Sequence, residues 1–142
     1  MKTGKNVIIA LALLANLWFV SSCNNGPKRE VWLDEVYKDS CFVQDWGIPQ
    51  INQSVVWTPL TVNGVVYKRG IGAHSISRML YDLGGKAVSV SGLVGADDNN
   101  LYAGKLQFKI IGDKKELWKS GVMRKGDPVK EFNVSLSGID KV

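Results

Sequence analysis

From Val31 onward the chain carries no sustained apolar period of 3.6 residues, which removes helices from the elements able to build its core. It carries alternation instead. Leu106, Phe108 and Ile110 are interleaved with Lys105, Gln107 and Lys109; Phe132, Val134 and Leu136 with Glu131, Asn133 and Ser135; Val88 and Val90 with Ser89 and Ser91. Successive side chains of a strand point to opposite faces, so each stretch presents one apolar and one polar face, as in an antiparallel sheet lying on a core. Turn-forming residues fall between the stretches: Asn63-Gly64, Gly84-Gly85, Gly112-Asp113 and Gly126-Asp127-Pro128. Short strands with regular punctuation predict an all-β domain, an antiparallel β-sandwich or barrel, and the 15 glycines suit turns better than helices. With 142 residues there is room for one such domain.

The N-terminus reads differently. Lys2 and Lys5 precede an apolar run from Val7 to Val20, and Ser21-Ser22-Cys23 follows. A basic start, a short apolar stretch and small residues before a cut site mark a secretory signal. The run is about fourteen residues with Asn16 inside it, short of the ~20 that a membrane-spanning helix needs. Its ending, Val20-Ser21-Ser22-Cys23, resembles a bacterial lipobox. Residues 1–22 are therefore expected to be a lipoprotein signal peptide, Cys23 the lipidated first residue of the mature chain, and residues 23–30 a polar tether to a domain over 31–142. That places the protein in the bacterial cell envelope, on a membrane through its lipid anchor only. A plain signal peptide with a free Cys23 is the alternative. Cys41 is then left without an intramolecular partner, in the apolar stretch Ser40-Cys41-Phe42-Val43, where a buried thiol acts as a small hydrophobe.

Charge and chemistry narrow the function. The chain has 18 Lys+Arg against 13 Asp+Glu; without Lys2 and Lys5 the balance is 16 against 13, or +3, spread along the sequence. A nucleic-acid surface needs a basic stripe, and none is present in the sequence. Two cysteines and one histidine fall short of a four-ligand zinc site. Hydrolysis by paired carboxylates needs two acids about 5 to 10 Å apart across a cleft. The adjacent acids are Asp97 and Asp98, and neighbours on a strand point apart. His74 lies near Ser75 and Ser77 but in no nucleophile elbow, and is expected to be a strand histidine satisfied by a backbone partner. No catalytic set emerges. Trp32, Trp46, Trp57 and Trp118 remain beyond the leader; an indole suits flat platforms for sugar rings, although core packing is its commoner role in a small sandwich.

An ordered series of motifs carries the reading further. Trp32-Leu33-Asp34-Glu35, Asp45-Trp46-Gly47-Ile48-Pro49 and Asn52-Gln53-Ser54-Val55 are followed by Pro59-Leu60-Thr61-Val62 and by Tyr67-Lys68-Arg69-Gly70-Ile71-Gly72-Ala73-His74-Ser75. Tyr81-Asp82-Leu83, Val94-Gly95-Ala96-Asp97-Asp98 and Leu117-Trp118-Lys119-Ser120-Gly121-Val122-Met123 complete it. The series resembles the NPCBM family, also classed as family 51 carbohydrate-binding modules and found on glycoside hydrolases, over about Val31 to Val142.

The resemblance implies a galactose-binding-like jelly roll that binds galactose-containing glycans and does not cleave them. Related discoidin-type domains carry a structural calcium ion, which makes Asp97 and Asp98 candidate metal ligands, with a solvated turn as the equal alternative. Trp46, Trp57, Asn99 and Asn100 are the candidate sugar contacts, and Trp57 stands where a small residue is expected before Pro59-Leu60-Thr61. Gly47, Gly70, Gly72 and Gly95 are expected to serve backbone geometry, and Arg69 and His74 to hold loops by hydrogen bonds. Family members continue past the stretch matched by Leu136 to Val142, so the domain is expected to lack its last strand. Two alternative functions stand beside the binding module: the N-terminal fragment of a larger glycoside hydrolase, and a protein-interaction β-sandwich on the same fold.

Overall fold

The computed structural model describes residues 8–11, 16–19, 29–100 and 104–142. In chain order the strands are β1 (Ile8–Leu11), β2 (Asn16–Phe19), β3 (Arg29–Trp32), β4 (Cys41–Gln44), β5 (Gln50–Ile51), β6 (Leu60–Val62) and β7 (Val65–Tyr67). They continue with β8 (Ile71–His74), β9 (Ser77–Leu80), β10 (Ala87–Val94), β11 (Lys109–Gly112), β12 (Lys115–Lys119) and β13 (Lys130–Ser135). A single 3-10 turn, Tyr37–Asp39, lies between β3 and β4. All pairings of these strands are antiparallel. One sheet runs β1-β8-β5 and a second β13-β10-β2-β3, with the pairs β4-β9, β6-β7 and β11-β12 around them.

The two sheets share one core. Ile71 from β8 lies in the same buried cluster as Val90 and Val94 from β10 and Phe132 and Val134 from β13, joined by Leu33, Tyr81, Met123 and Leu136. The alternation of the sequence is realised here: Phe132 and Val134 are buried while Glu131, Asn133 and Ser135 face solvent. The turn chemistry is realised too. Asn63 (φ +49) and Gly64 (φ +78) join β6 to β7 in the left-handed conformations that an Asn-Gly hairpin turn requires.

One sequence expectation is revised. Cys41 is exposed rather than buried, because Cys41 and Val43 take the outward face of β4 while Phe42 turns inward. β3 begins at Arg29, within the stretch 23–30 expected to be a tether. Residues 8–11 and 16–19, within the expected leader, form strands: β1 pairs with β8, and β2 lies between β10 and β3. Cys23 lies outside the described residues. Among the described residues, no helix is long and apolar enough to cross a membrane.

At the other terminus Tyr81 and Val142 exchange both backbone hydrogen bonds, at 2.7 and 3.1 Å, and Asp140 accepts from Leu83 N–H at 2.7 Å. A cleft of about 1070 Å³ runs beside this pairing, lined by apolar groups that include Phe42, Met79, Phe108, Ile110 and Trp118.

β8 positions the candidate site. All four of its residues are buried. Ile71 and Ala73 point into the core, so Gly72 and His74 occupy the opposite face and are covered by loops rather than by a second sheet. At Gly72 an added Cβ would stand 2.1 Å from the Gln53 carbonyl oxygen and 2.7 Å from Ser54 Cα. Only glycine lets the chain after β5 cross the strand this closely.

Candidate sugar-binding pole

His74 is 1% exposed on the loop-covered face of β8, with Nδ1 hydrogen-bonded to Asp45 Oδ1. The expectation of a backbone partner is thus corrected to a carboxylate. The imidazole points away from the core into the loop that follows β4, and the first polar group it meets there is Asp45. Trp46 stacks on the same imidazole, with ring centroids 5.5 Å apart and planes tilted by 58°.

Gln44 fixes the loop from below. Its side-chain oxygen accepts from His74 N–H at 3.1 Å, and its amide nitrogen donates to the Trp46 carbonyl at 2.7 Å. Asp45 N–H donates to the Ile76 carbonyl at 3.1 Å, which ties this loop to the turn between β8 and β9. Trp46 is 51% exposed, so one part of the indole rests on His74 and the rest meets solvent. An aromatic face held beside a half-exposed carboxylate offers a stacking surface for the C–H face of a sugar and an acceptor for its hydroxyls.

The second loop is locked from within. Asn52 N–H donates to the Gly70 carbonyl at 2.8 Å, and Gly70 N–H returns to Asn52 Oδ1 at 3.0 Å. Ser54 is its hub. The Ser54 hydroxyl meets Thr58 Oγ1 at 2.7 Å and accepts from the N–H groups of Val56 and Thr58, each at 3.3 Å. Ser54 N–H donates to the Thr58 carbonyl and Trp57 N–H to the Ser54 carbonyl. The turn leaves Trp57 at φ +66 with its side chain 67% exposed. The two loops touch: Gly47 (φ +72) sits so close to Val55 that a Cβ there would lie 3.1 Å from Val55 Cγ2.

Next to this pole, Arg69 organises the approach to β8. Its guanidinium lies over the Trp32 ring at 4.4 Å and donates to Asp34 Oδ2 through Nε and one terminal nitrogen, at 3.2 and 2.9 Å. The same terminal nitrogen reaches Glu35 at 2.7 Å. The hydrogen bond to Glu35, then that to Asp34, holds the guanidinium above its already high ordinary value. Arg69 and His74 both hold loops by hydrogen bonds, as their motif suggested.

The oxygen-rich turn sits elsewhere. Asp97 is 1% exposed; its carboxylate accepts from Thr61 N–H at 3.0 Å and Asn99 N–H at 2.9 Å. Asp98 accepts from Asn63 N–H at 3.1 Å and Gly64 N–H at 2.7 Å. These carboxylates clamp the β6-β7 hairpin turn, and each oxygen faces the positive end of an amide dipole. A calcium ion wants about six to eight oxygens turned toward it. The described residues do not fit such a site, and among them no cluster of three or more His, Cys, Asp or Glu could hold a metal. Asn99 is exposed on this turn, whereas Asn100 is 2% exposed and too enclosed to reach a ligand in solution.

Of the residues singled out in the sequence, the structure therefore groups Trp46 and Trp57 on touching loops, and Asn99 and Asn100 with the hairpin clamp. Asp45 and Gln44 were missed. Asp45 was legible only as the residue before Trp46, and Gln44 carried no signal at all.

A two-sheet antiparallel sandwich with loops gathered above one strand is the fold of the CBM51 carbohydrate-binding modules. The chain belongs to the NPCBM family: the NPCBM/NEW2 domain matches residues 29–142. A CBM51 domain of Clostridium perfringens GH95, solved in complex with methyl-galactose, superposes with a TM-score of 0.69 at 24% identity, covering 78% of this chain and 81% of that one. CBM51-2 of Clostridium perfringens ZmpB, solved with its INT domains and GlcNAc, gives a TM-score of 0.68 at 17% identity, covering 93% of this chain and 32% of that one. At these identities the likeness is one of fold.

Two curated relatives carry the names of glycosidases. The "Putative endo-alpha-N-acetylgalactosaminidase" of Renibacterium salmoninarum is 34% identical over 80 residues, and the alpha-1,3-galactosidase B of Akkermansia muciniphila 29% identical over 96. The aligned stretches cover 56% and 66% of this chain, and 5% and 12% of those proteins.

Proposed function

We propose that this domain is a non-catalytic carbohydrate-binding module that holds a terminal galactose-type sugar at the Trp46 pole. The observation that carries the reading is Trp46 itself: half-exposed, stacked on the buried His74, and one residue from the half-exposed Asp45. The ring would lie against the indole while Asp45 accepts from its hydroxyls. The CBM51 fold neighbour bound to methyl-galactose supports the choice of sugar. Titration calorimetry with methyl-galactoside tests it: saturable binding by the wild type, lost or strongly weakened in Trp46→Ala, is expected. No binding to any galactose-bearing glycan on an array would return the domain to the protein-interaction reading.

The relatives favour a second, compatible reading, in which the chain is the glycan-targeting part of a larger glycoside hydrolase. It matches only 5% and 12% of the two glycosidase-named proteins. The reading frame beyond Val142 decides this. We further propose lipidation at Cys23 and a place in the cell envelope, from Val20-Ser21-Ser22-Cys23. Full-length protein is expected in the detergent phase and Cys23→Ala in the aqueous phase; equal partitioning of the two would remove the anchor.

A further inference from the structure

We infer that Trp57 forms a second sugar subsite, stacking on the unit linked to the one held by Trp46; this rests on the carbohydrate-binding reading above. Three observations carry it. The first is placement. Gly72 and His74 are successive outward positions of β8, so the strand points that seat the two loops are about 6.6 Å apart along it. That spacing is of the order of one sugar unit. The loops also touch through Gly47 and Val55, so the two segments that carry the indoles are packed side by side.

The second observation is rigidity. Ser54 gathers Val56, Trp57 and Thr58 through one buried hydroxyl and its own backbone groups, and buried Val55 pins the loop's underside. A stacking group that is already immobile loses little freedom when a ligand arrives. The third is strain. Trp57 holds φ at +66, a conformation that bulky side chains rarely adopt, and holds it with most of the indole in water. The backbone conformation that aims the ring outward is fixed by the Ser54 network, so the exposed ring is presented rather than left over.

The ligand class that fits is a galactose-terminated di- or oligosaccharide. Trp46 with Asp45 takes the terminal ring, and Trp57 takes the next ring through its C–H face. The second contact asks for no fixed pattern of hydroxyls, so Trp57 adds affinity for chain length more than for the identity of the second sugar.

The test compares methyl-galactoside with lactose, by calorimetry, on the wild type, Trp57→Ala, Trp57→Phe and Trp46→Ala, each checked for an unchanged melting temperature. The wild type should bind lactose more tightly than methyl-galactoside. Trp57→Ala should weaken lactose binding about five- to tenfold, the worth of one aromatic stack, and leave methyl-galactoside unchanged. Trp57→Phe should restore much of the lactose affinity, and Trp46→Ala should weaken both ligands. Equal lactose affinity in wild type and Trp57→Ala overturns the second subsite while leaving the Trp46 reading intact. Failure of the wild type to bind either sugar overturns both.

Discussion

Asp45 and His74 lie 29 residues apart in the chain and meet at the carboxylate oxygen and Nδ1, with the imidazole buried and the carboxylate half in water. One partner belongs to a strand packed on the core and the other to a loop that faces solvent. The bond is the point at which the loop bearing Trp46 is fastened to the sandwich.

Removing the carboxylate should therefore be felt in stability and in binding together. Asp45→Ala leaves a buried ring nitrogen without its protein partner, and a loss of about 1–3 kcal/mol in urea unfolding is expected. Asp45→Asn keeps an acceptor at the same place and should lose less. Wild-type stability in Asp45→Ala would show that the loop is held by Gln44 alone.

Arg69 gives a sharper contrast between charge and shape. Asp34 is buried, its side chain only 5% exposed, and Arg69 meets it through two nitrogens while stacking on Trp32. Lysine keeps the charge but offers neither the planar stack nor the fork. Arg69→Lys should destabilise by about 1 kcal/mol or more, and Arg69→Ala by about 2–3 kcal/mol, because it strands a buried carboxylate whose partner was only partly enclosed. Chemical denaturation that ranks the two variants equally would assign the cluster's worth to the stack and the fork, and none of it to the charge alone.

Gly72→Ala tests the crossing of the loop over β8. A methyl group at 2.1 Å from the Gln53 carbonyl oxygen cannot be absorbed by a side-chain movement, so the backbone of residues 52–54 must lift. A loss of about 2 kcal/mol or more is expected, at the upper end of ordinary single substitutions. Amide exchange in residues 52–58 should quicken, and lactose binding should fall more than methyl-galactoside binding. An unperturbed 52–58 segment in the variant would contradict the crossing.

The β11-β12 hairpin provides the pH test. Glu116 accepts from Lys119 at 2.9 Å and Lys109 at 3.0 Å, and these bonds, Lys119 first, hold its carboxyl below the ordinary 4.5. A depressed folded value means that the stabilisation is present above the unfolded value and is lost as pH falls through the folded one. The group lies on the surface, so the effect is small and screened by salt. Melting temperatures of wild type and Glu116→Gln should differ slightly at pH 7 and low ionic strength, and converge below about pH 4. A gap that persists in acid would point to packing rather than charge.

The fold was legible where side-chain period and turn chemistry agree. Phe132 and Val134 alternate in the sequence and alternate in burial, and Asn63-Gly64 builds the hairpin turn it spells. Cys41 was misjudged because apolar neighbours do not reveal which face of a strand a residue takes. In the site, Trp46 and Trp57 could be named from residue type, but the packing of their segments side by side depends on Gly72 and His74 seating two loops on one strand. Such long-range closure is set by backbone contact, and single residues do not announce it. Asp97 and Asp98 show the converse, since an acidic pair looks like a cation site until its oxygens are found on the amides of Thr61, Asn63, Gly64 and Asn99.

β8 divides its four residues between two tasks by parity, Ile71 and Ala73 inward, Gly72 and His74 outward. Selection acting on the exposed ring positions of the recognition loops is thereby separated from selection acting on the core face of the strand. The exposed positions 46, 48 and 57 can be rewritten for another ligand without altering a methyl group of the interior, provided that Asp45, Gly47, Val55, the small residue and the imidazole beneath them stay. A library randomised at those positions over this fixed strand would keep the sandwich and vary the sugar, which makes the pole a natural grafting surface.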